Sequence, residues 1–185
     1  MRRFAAFLSA LAFTTALGTA AFGQAKALAI TTDKTVVDGV VHPAEYSFSQ
    51  NFDDLSLYAN RTKEALYLAV VGDTTGWVAV GLGSMKMDGS TIFMGFVDPD
   101  GKVQFKPQVG SGHSHKDASA AVAATIISYA VKESGGKTTL EIALKPAAYI
   151  TDGQSALQVT YAQGTEKSYI PRHAFRGAQS IPLAK

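Results

Sequence analysis

Residues 76–98 constrain the fold more than any other stretch: Gly-Trp-Val-Ala-Val-Gly-Leu-Gly-Ser-Met-Lys-Met-Asp-Gly-Ser-Thr-Ile-Phe-Met-Gly-Phe-Val-Asp. Apolar side chains alternate over residues 77–82 and again over 91–97, the period of two that a pleated strand imposes. Trp77, Ala79 and Gly81 fall on one face of the first strand, with Val78, Val80 and Leu82 on the other. In the second strand Ile92, Met94 and Phe96 alternate with Phe93, Gly95 and Val97. A glycine inside a strand, as at Gly95, marks a place where another group approaches the backbone closely. The loop between the strands carries Met85 and Met87 beside Lys86 and Asp88. Loops run over the surface and methionine normally fills cores, so packing alone does not account for thioethers there.

The rest of the chain repeats the pattern. A first strand is expected at residues 28–32, a turn at Asp38-Gly39 and a short helical turn from Pro43. Leu55, Leu57 and Ala59 alternate with polar residues and pair with residues 66–71 as a hairpin. Asp98-Pro99-Asp100-Gly101 turns the chain into a strand containing Val103 and Phe105. Residues 107–116 read as a Gly/Ser/His loop and residues 117–124 as a short Ala-rich helix. Further strands centre on Tyr129, Ile142 and Val159, with a last one at 180–183. Many short strands without a long amphipathic helix predict an all-β fold, an antiparallel immunoglobulin-like β-sandwich forming one domain.

The N-terminus stands apart from that domain. Met1-Arg2-Arg3 is followed by an apolar, Ala-rich run over residues 4–22 and by small residues at Ala21, Gly23 and Ala25. This is the pattern of a secretory signal peptide, placed at residues 1–23, with the domain over 24–185 and a periplasmic or secreted location. No membrane span is expected after processing. Taking Arg2 and Arg3 from the 17 Lys and Arg leaves 15 basic residues against 15 acidic ones. A neutral domain without a basic run has no electrostatic footprint for nucleic acid. The absence of cysteine excludes disulfides, iron–sulfur clusters and covalent haem attachment through Cys-x-x-Cys-His. Gly81-x-Gly83 lacks the third glycine of a dinucleotide loop, and there is no Gly-x-Ser-x-Gly elbow or P-loop. Asp53, Asp54, Asp98 and Asp100 sit in turns, where Asp serves backbone geometry, and no catalytic group stands out.

Gly76-Trp77, Gly81, Met87-Asp88-Gly89-Ser90, Gly95 and Asp98 resemble the DOMON family. The run Asp38-Gly39 to Glu45-Tyr46 is similar to the opening signature of the CBM9-like superfold to which that family belongs. His173-Ala174-Phe175-Arg176-Gly177 before a final strand also looks like the family. In its haem-binding members a loop methionine and a late histidine are the axial ligands of b-type haem. Carried over, the resemblance implies haem b held by Met87 and His173, with Met85 the competing sulfur and Lys86 a third candidate. Met/His ligation saturates the iron and suits one-electron transfer rather than oxygen chemistry. Trp77, Met94 and Phe175 are the apolar candidates for the slot, and Arg172 and Arg176 could bind the propionates as bidentate guanidinium groups. The partner would be another redox protein, such as a membrane cytochrome b. Two other readings stay open. One is a non-redox module binding a sugar or other small ligand. The other is a periplasmic metal-binding protein using His113 and His115 for copper or zinc, since imidazole suits both.

Overall fold

The structure, a computed structural model, describes residues 27–170 and 172–184, so the expected leader lies outside the described residues. Two antiparallel sheets pack face to face. The first is built from β1 (Phe48–Asn51), β2 (Leu55–Arg61), β3 (Leu66–Gly72), β8 (Ile126–Ser134) and β9 (Lys137–Leu144), in the order β1-β2-β3-β9-β8. The second contains β4 (Val78–Leu82), β5 (Thr91–Val97), β6 (Val103–Ser111), β7 (Ser114–Asp117), β10 (Ala156–Gln163) and β11 (Phe175–Pro182). Its order is β11-β10-β4-β5-β6-β7, which places β4 between β10 and β5. One short helix, α1 (Ala120–Ala123), joins β7 to β8. Among the described residues, no helix is long and apolar enough to cross a membrane.

The period-two pattern decides which residues meet between the sheets. Leu57, Leu68, Val70, Leu140 and Ile142 of the first sheet are buried with Val78, Val80, Leu82, Phe93 and Val159 of the second. Burying an aliphatic side chain of this size contributes roughly 1.5–3 kcal/mol relative to leaving it exposed. With no cysteine in the chain, this core carries the fold's stability without disulfides. Gly95 behaves as its position in the strand predicts: a Cβ there would stand 2.6 Å from Cγ2 of Val131 on β8. The opposite sheet approaches the β5 backbone at that point.

The other face of the first sheet explains the Asp38-Gly39 to Tyr46 run. Glu141 on β9 is fully buried. Its carboxylate accepts hydrogen bonds from the Tyr46 hydroxyl at 2.6 Å, the Gly39 N–H at 2.7 Å and the Asp38 N–H at 3.0 Å. A buried carboxylate is tolerated when donors replace its water in this way. Burial, followed by the neighbouring Glu141 carboxylate, pushes the Tyr46 hydroxyl pKa far upward, so the phenol stays a donor. The turn, the helical turn at Pro43–Glu45 and β9 are thereby locked together.

Four segments differ from the sequence-based expectation. Residues 28–32 form no strand and make only isolated bridges, Leu28 to Leu183 and Ile30 to Arg61. Leu28 plugs the sandwich while Ile30 stays exposed, so the alternation there belongs to an edge crossing. β1 went unpredicted because Phe48 is its one buried residue. The stretch 107–116 is mostly hairpin, since β6 runs to Ser111 and β7 pairs back on it. β11 starts at Phe175, before the expected 180, and is polar because it is an edge strand with one open face.

Candidate functional site

The outer face of the second sheet is hollow. Ala79 and Gly81 of β4 sit beside Ala162 and Thr160 of β10, and Ala162 faces Arg176 of β11 while Thr160 faces Ala178. Small side chains at the centre of three neighbouring strands leave a floor with little standing above the backbone. Met94 and Ile92 of β5 and the Trp77 indole flank it, and together they bound a cavity of about 1050 Å³. That volume lies at the upper end of the range for small-molecule sites.

Strand direction brings the two ends of the cavity their chemistry. β4 runs into the 83–90 loop, which carries Met85, Lys86, Met87 and Asp88. β10 is antiparallel to β4, so its far end leads to the 164–174 connection at the opposite end of the same strand pair. That connection supplies Ile170, Arg172 and His173, and all seven of these residues line the one cavity.

Both ends are held. The Gly110 N–H donates to the Ser90 carbonyl at 2.9 Å, and the Gly89 N–H to the Gly110 carbonyl at 3.2 Å. The Ser90 N–H donates to the Met87 carbonyl at 3.0 Å. Gly110 is required because a Cβ there would stand 1.7 Å from the Met87 carbonyl oxygen. At the other end, the Ala174 N–H donates to the Gln163 carbonyl at 2.8 Å and the Trp77 N–H to the Glu166 carbonyl at 3.2 Å. Tyr169 packs edge-on against Phe96, with ring centroids 4.9 Å apart, and the Lys106 ammonium lies 5.0 Å from the Tyr169 ring centroid. Lys167 pairs with Glu133 at 2.5 Å, tying the connection to β8.

Of the residues singled out in the sequence, Met87, His173, Trp77, Met94, Arg172 and Arg176 converge on the cavity, as do Met85, Lys86, His113 and His115. Phe175 does not line it. Its place on β11 opposite Gln163 puts it on the other face, where it packs against the main core and stacks over Tyr161 at 6.3 Å between centroids. Gln108 was missed. It is buried on β6 and lines the cavity, and its Oε1 has no hydrogen-bond partner among the described residues. The Trp77 Nε1, buried against the Gly164 backbone, is likewise unpaired. Leaving such groups unpaired costs about 1–3 kcal/mol each, a cost that marks ligand or water sites. The signal for Gln108 lay in its register opposite Ile92, which only strand pairing reveals.

Electrostatics at the His173 end favour the neutral imidazole. Partial burial, then the positive charges of Arg176 and Arg172, pull its pKa below the ordinary 6.5. The neutral form is the one that can donate a lone pair to a metal. Among the described residues, no group of three or more His, Asp or Glu side chains converges to hold a metal ion.

No family model and no curated protein sequence matches the chain. Among solved structures, it is similar to the cytochrome b domain of pyranose dehydrogenase from Coprinopsis cinerea, with TM-score 0.55 and 14% identity over 74% of this chain and 81% of that one. It is also similar to the cytochrome domain of Myriococcum thermophilum cellobiose dehydrogenase, with TM-score 0.51 and 11% identity over 74% and 81%. The chain shares the β-sandwich fold of these two cytochrome domains. At these identities the likeness speaks for the sandwich architecture alone. A family 9 carbohydrate-binding module from Caldicellulosiruptor kristjanssonii matches at TM-score 0.45 and 9% identity, covering 82% of each chain.

The donor set can be tested against haem b directly. A floor of mostly small residues, an apolar flank from Trp77 and Met94, and a thioether, an imidazole and two arginines along the lining are side-chain types suited to such a group. The residues present fit it.

Proposed function

We propose that this domain binds one non-covalent b-type haem in the outer-face cavity, with Met87 and His173 as axial ligands, and serves in one-electron transfer. The observation that carries the reading is the placement of the two donors. They come from opposite ends of the β4–β10 strand pair and line the same cavity of about 1050 Å³. Met87 is the better sulfur because its backbone is pinned against Gly110, whereas Met85 stands 40% exposed. Arg172 and Arg176 would neutralise the propionates, and Trp77 and Met94 would exclude water from the ring face. When bound, the group supplies a one-electron couple whose potential Met/His ligation raises. An exported location and a separate redox protein as partner belong to the same reading. Its kinship in fold with two cytochrome domains supports it.

The test is to express the full chain with ample haem and record its visible spectrum. A low-spin six-coordinate spectrum is expected, lost in both Met87→Ala and His173→Ala. A colourless protein that also refuses added haem refutes the proposal. If the Trp77 fluorescence of that colourless protein then responded to saccharides, a sugar-binding module would replace it.

A further inference from the structure

The 83–90 loop and the β6–β7 hairpin form one braced rim. The hairpin turns at Gly112, where φ is 58°, and carries His113 at its tip and His115 in β7. The Gly112 N–H donates to Oδ1 of Asp88 at 2.8 Å, which adds a third tie to the two that Gly110 makes with the loop. His115 is the cross-strand partner of Gly110. Cβ positions of such partners lie about 4.5–5.5 Å apart. Cγ of Met87 comes within 3.2 Å of where a Cβ on Gly110 would stand, so the methionine loop passes directly beside the His115 position.

Three donors on this rim have no assignment in the haem reading. Met85 is exposed, which a thioether does not gain from packing. His113 and His115 are exposed and line the cavity with it, and among the described residues neither imidazole makes a hydrogen bond or ion pair. We propose that Met85, His113 and His115 form a copper(I) site on the cavity rim, separate from the Met87 and His173 pair.

The chemistry selects the ion. Thioether sulfur is a soft ligand that favours copper(I), and imidazole serves copper equally well. Zinc sites draw on thiolate, imidazole and carboxylate, whereas calcium and magnesium need several oxygens. This rim offers no thiolate, and among the described residues Asp88 and the two histidines form no three-ligand group for a metal ion. The ligand set is therefore uncharged, with the Lys86 ammonium on the same cavity wall. An uncharged set beside a cation holds a monovalent ion at less electrostatic cost than a divalent one. The inference does not rest on haem binding, because it leaves Met87 and His173 free.

The experiment is an anaerobic copper(I) titration of the purified full chain in competition with bicinchoninate, repeated on Met85→Leu, His113→Ala and His115→Ala. One copper(I) per chain is expected, with each substitution weakening binding by about 10-fold or more. X-ray absorption should show a sulfur ligand that disappears in Met85→Leu. Copper(I) affinity should survive in His173→Ala, the substitution that abolishes the haem spectrum, so the two readings fail separately. Absence of copper(I) binding, unchanged affinity in all three variants, or a copper spectrum without sulfur overturns the proposal.

Discussion

Gly110→Ala tests the brace on which both proposed metal sites depend. The new methyl would stand 1.7 Å from the Met87 carbonyl oxygen and 2.6 Å from its carbonyl carbon, and both are backbone atoms that no rotamer change can move aside. A carbon and a carbonyl oxygen rest at about 3.3 Å, so the loop and β6 must separate by about 1.6 Å. That displacement strains or breaks two bonds, from the Gly110 N–H to Ser90 and from the Gly89 N–H to Gly110. At about 0.5–1.5 kcal/mol net for each bond, the expected loss is about 1–3 kcal/mol. For a domain of this size the melting temperature then falls by about 2–12 °C, which calorimetry resolves. Because the shift moves Met87 relative to the cavity, haem-loaded protein should also lose its low-spin six-coordinate spectrum, while circular dichroism keeps its strand signature. An unchanged melting temperature together with an unchanged spectrum would refute the claim that the loop is pinned to β6.

Two further predictions concern stability. Glu141→Ala leaves the Tyr46 hydroxyl and the Asp38 and Gly39 N–H groups without their acceptor. It should cost about 3–5 kcal/mol by urea unfolding, with Glu141→Gln recovering part of the loss through its remaining carbonyl oxygen. Asp98 is held below its ordinary 3.8, first by the Lys102 N–H and then by the Gln104 side chain. A carboxyl depressed in the folded state stabilises above its unfolded pKa and loses that contribution as pH falls through the folded value. The stability gap between the wild type and Asp98→Asn should therefore be full near pH 6 and close as the pH drops below about 4. A gap that widens on acidification would contradict the assignment.

Legibility followed burial. The β4–β5 pair and the β2–β3 hairpin were readable because the inner face of each strand enters the core, whereas the short helix after β7 buries no residue and was readable only from its run of alanines. The hairpin of β6 and β7 was not, since β7 is exposed throughout and its Gly, Ser and His residues are those that loops also use. The same holds for the site. Met87 and His173 were singled out through a resemblance in motif and the two arginines as the guanidinium groups flanking His173, whereas Gln108 and the floor residues Ala79, Ala162 and Ala178 carry no chemical flag. They matter through what they leave empty. Phe175 was misplaced because its neighbours His173 and Arg176 face the cavity, and the pleat of β11 turns the residue beside Arg176 inward.

Alternation of apolar and polar residues, with turns at Gly-rich steps, determined a sandwich of antiparallel strands from the sequence alone, because a pleated chain has only two faces and water occupies one. Which strands became neighbours was decided by the tertiary structure. Only the order β11-β10-β4-β5-β6-β7 sets small residues of three strands side by side and carries a methionine loop and a histidine segment to opposite ends of the hollow they leave. Strand order depends on long-range packing between faces that look alike locally, so no local pattern could have specified it.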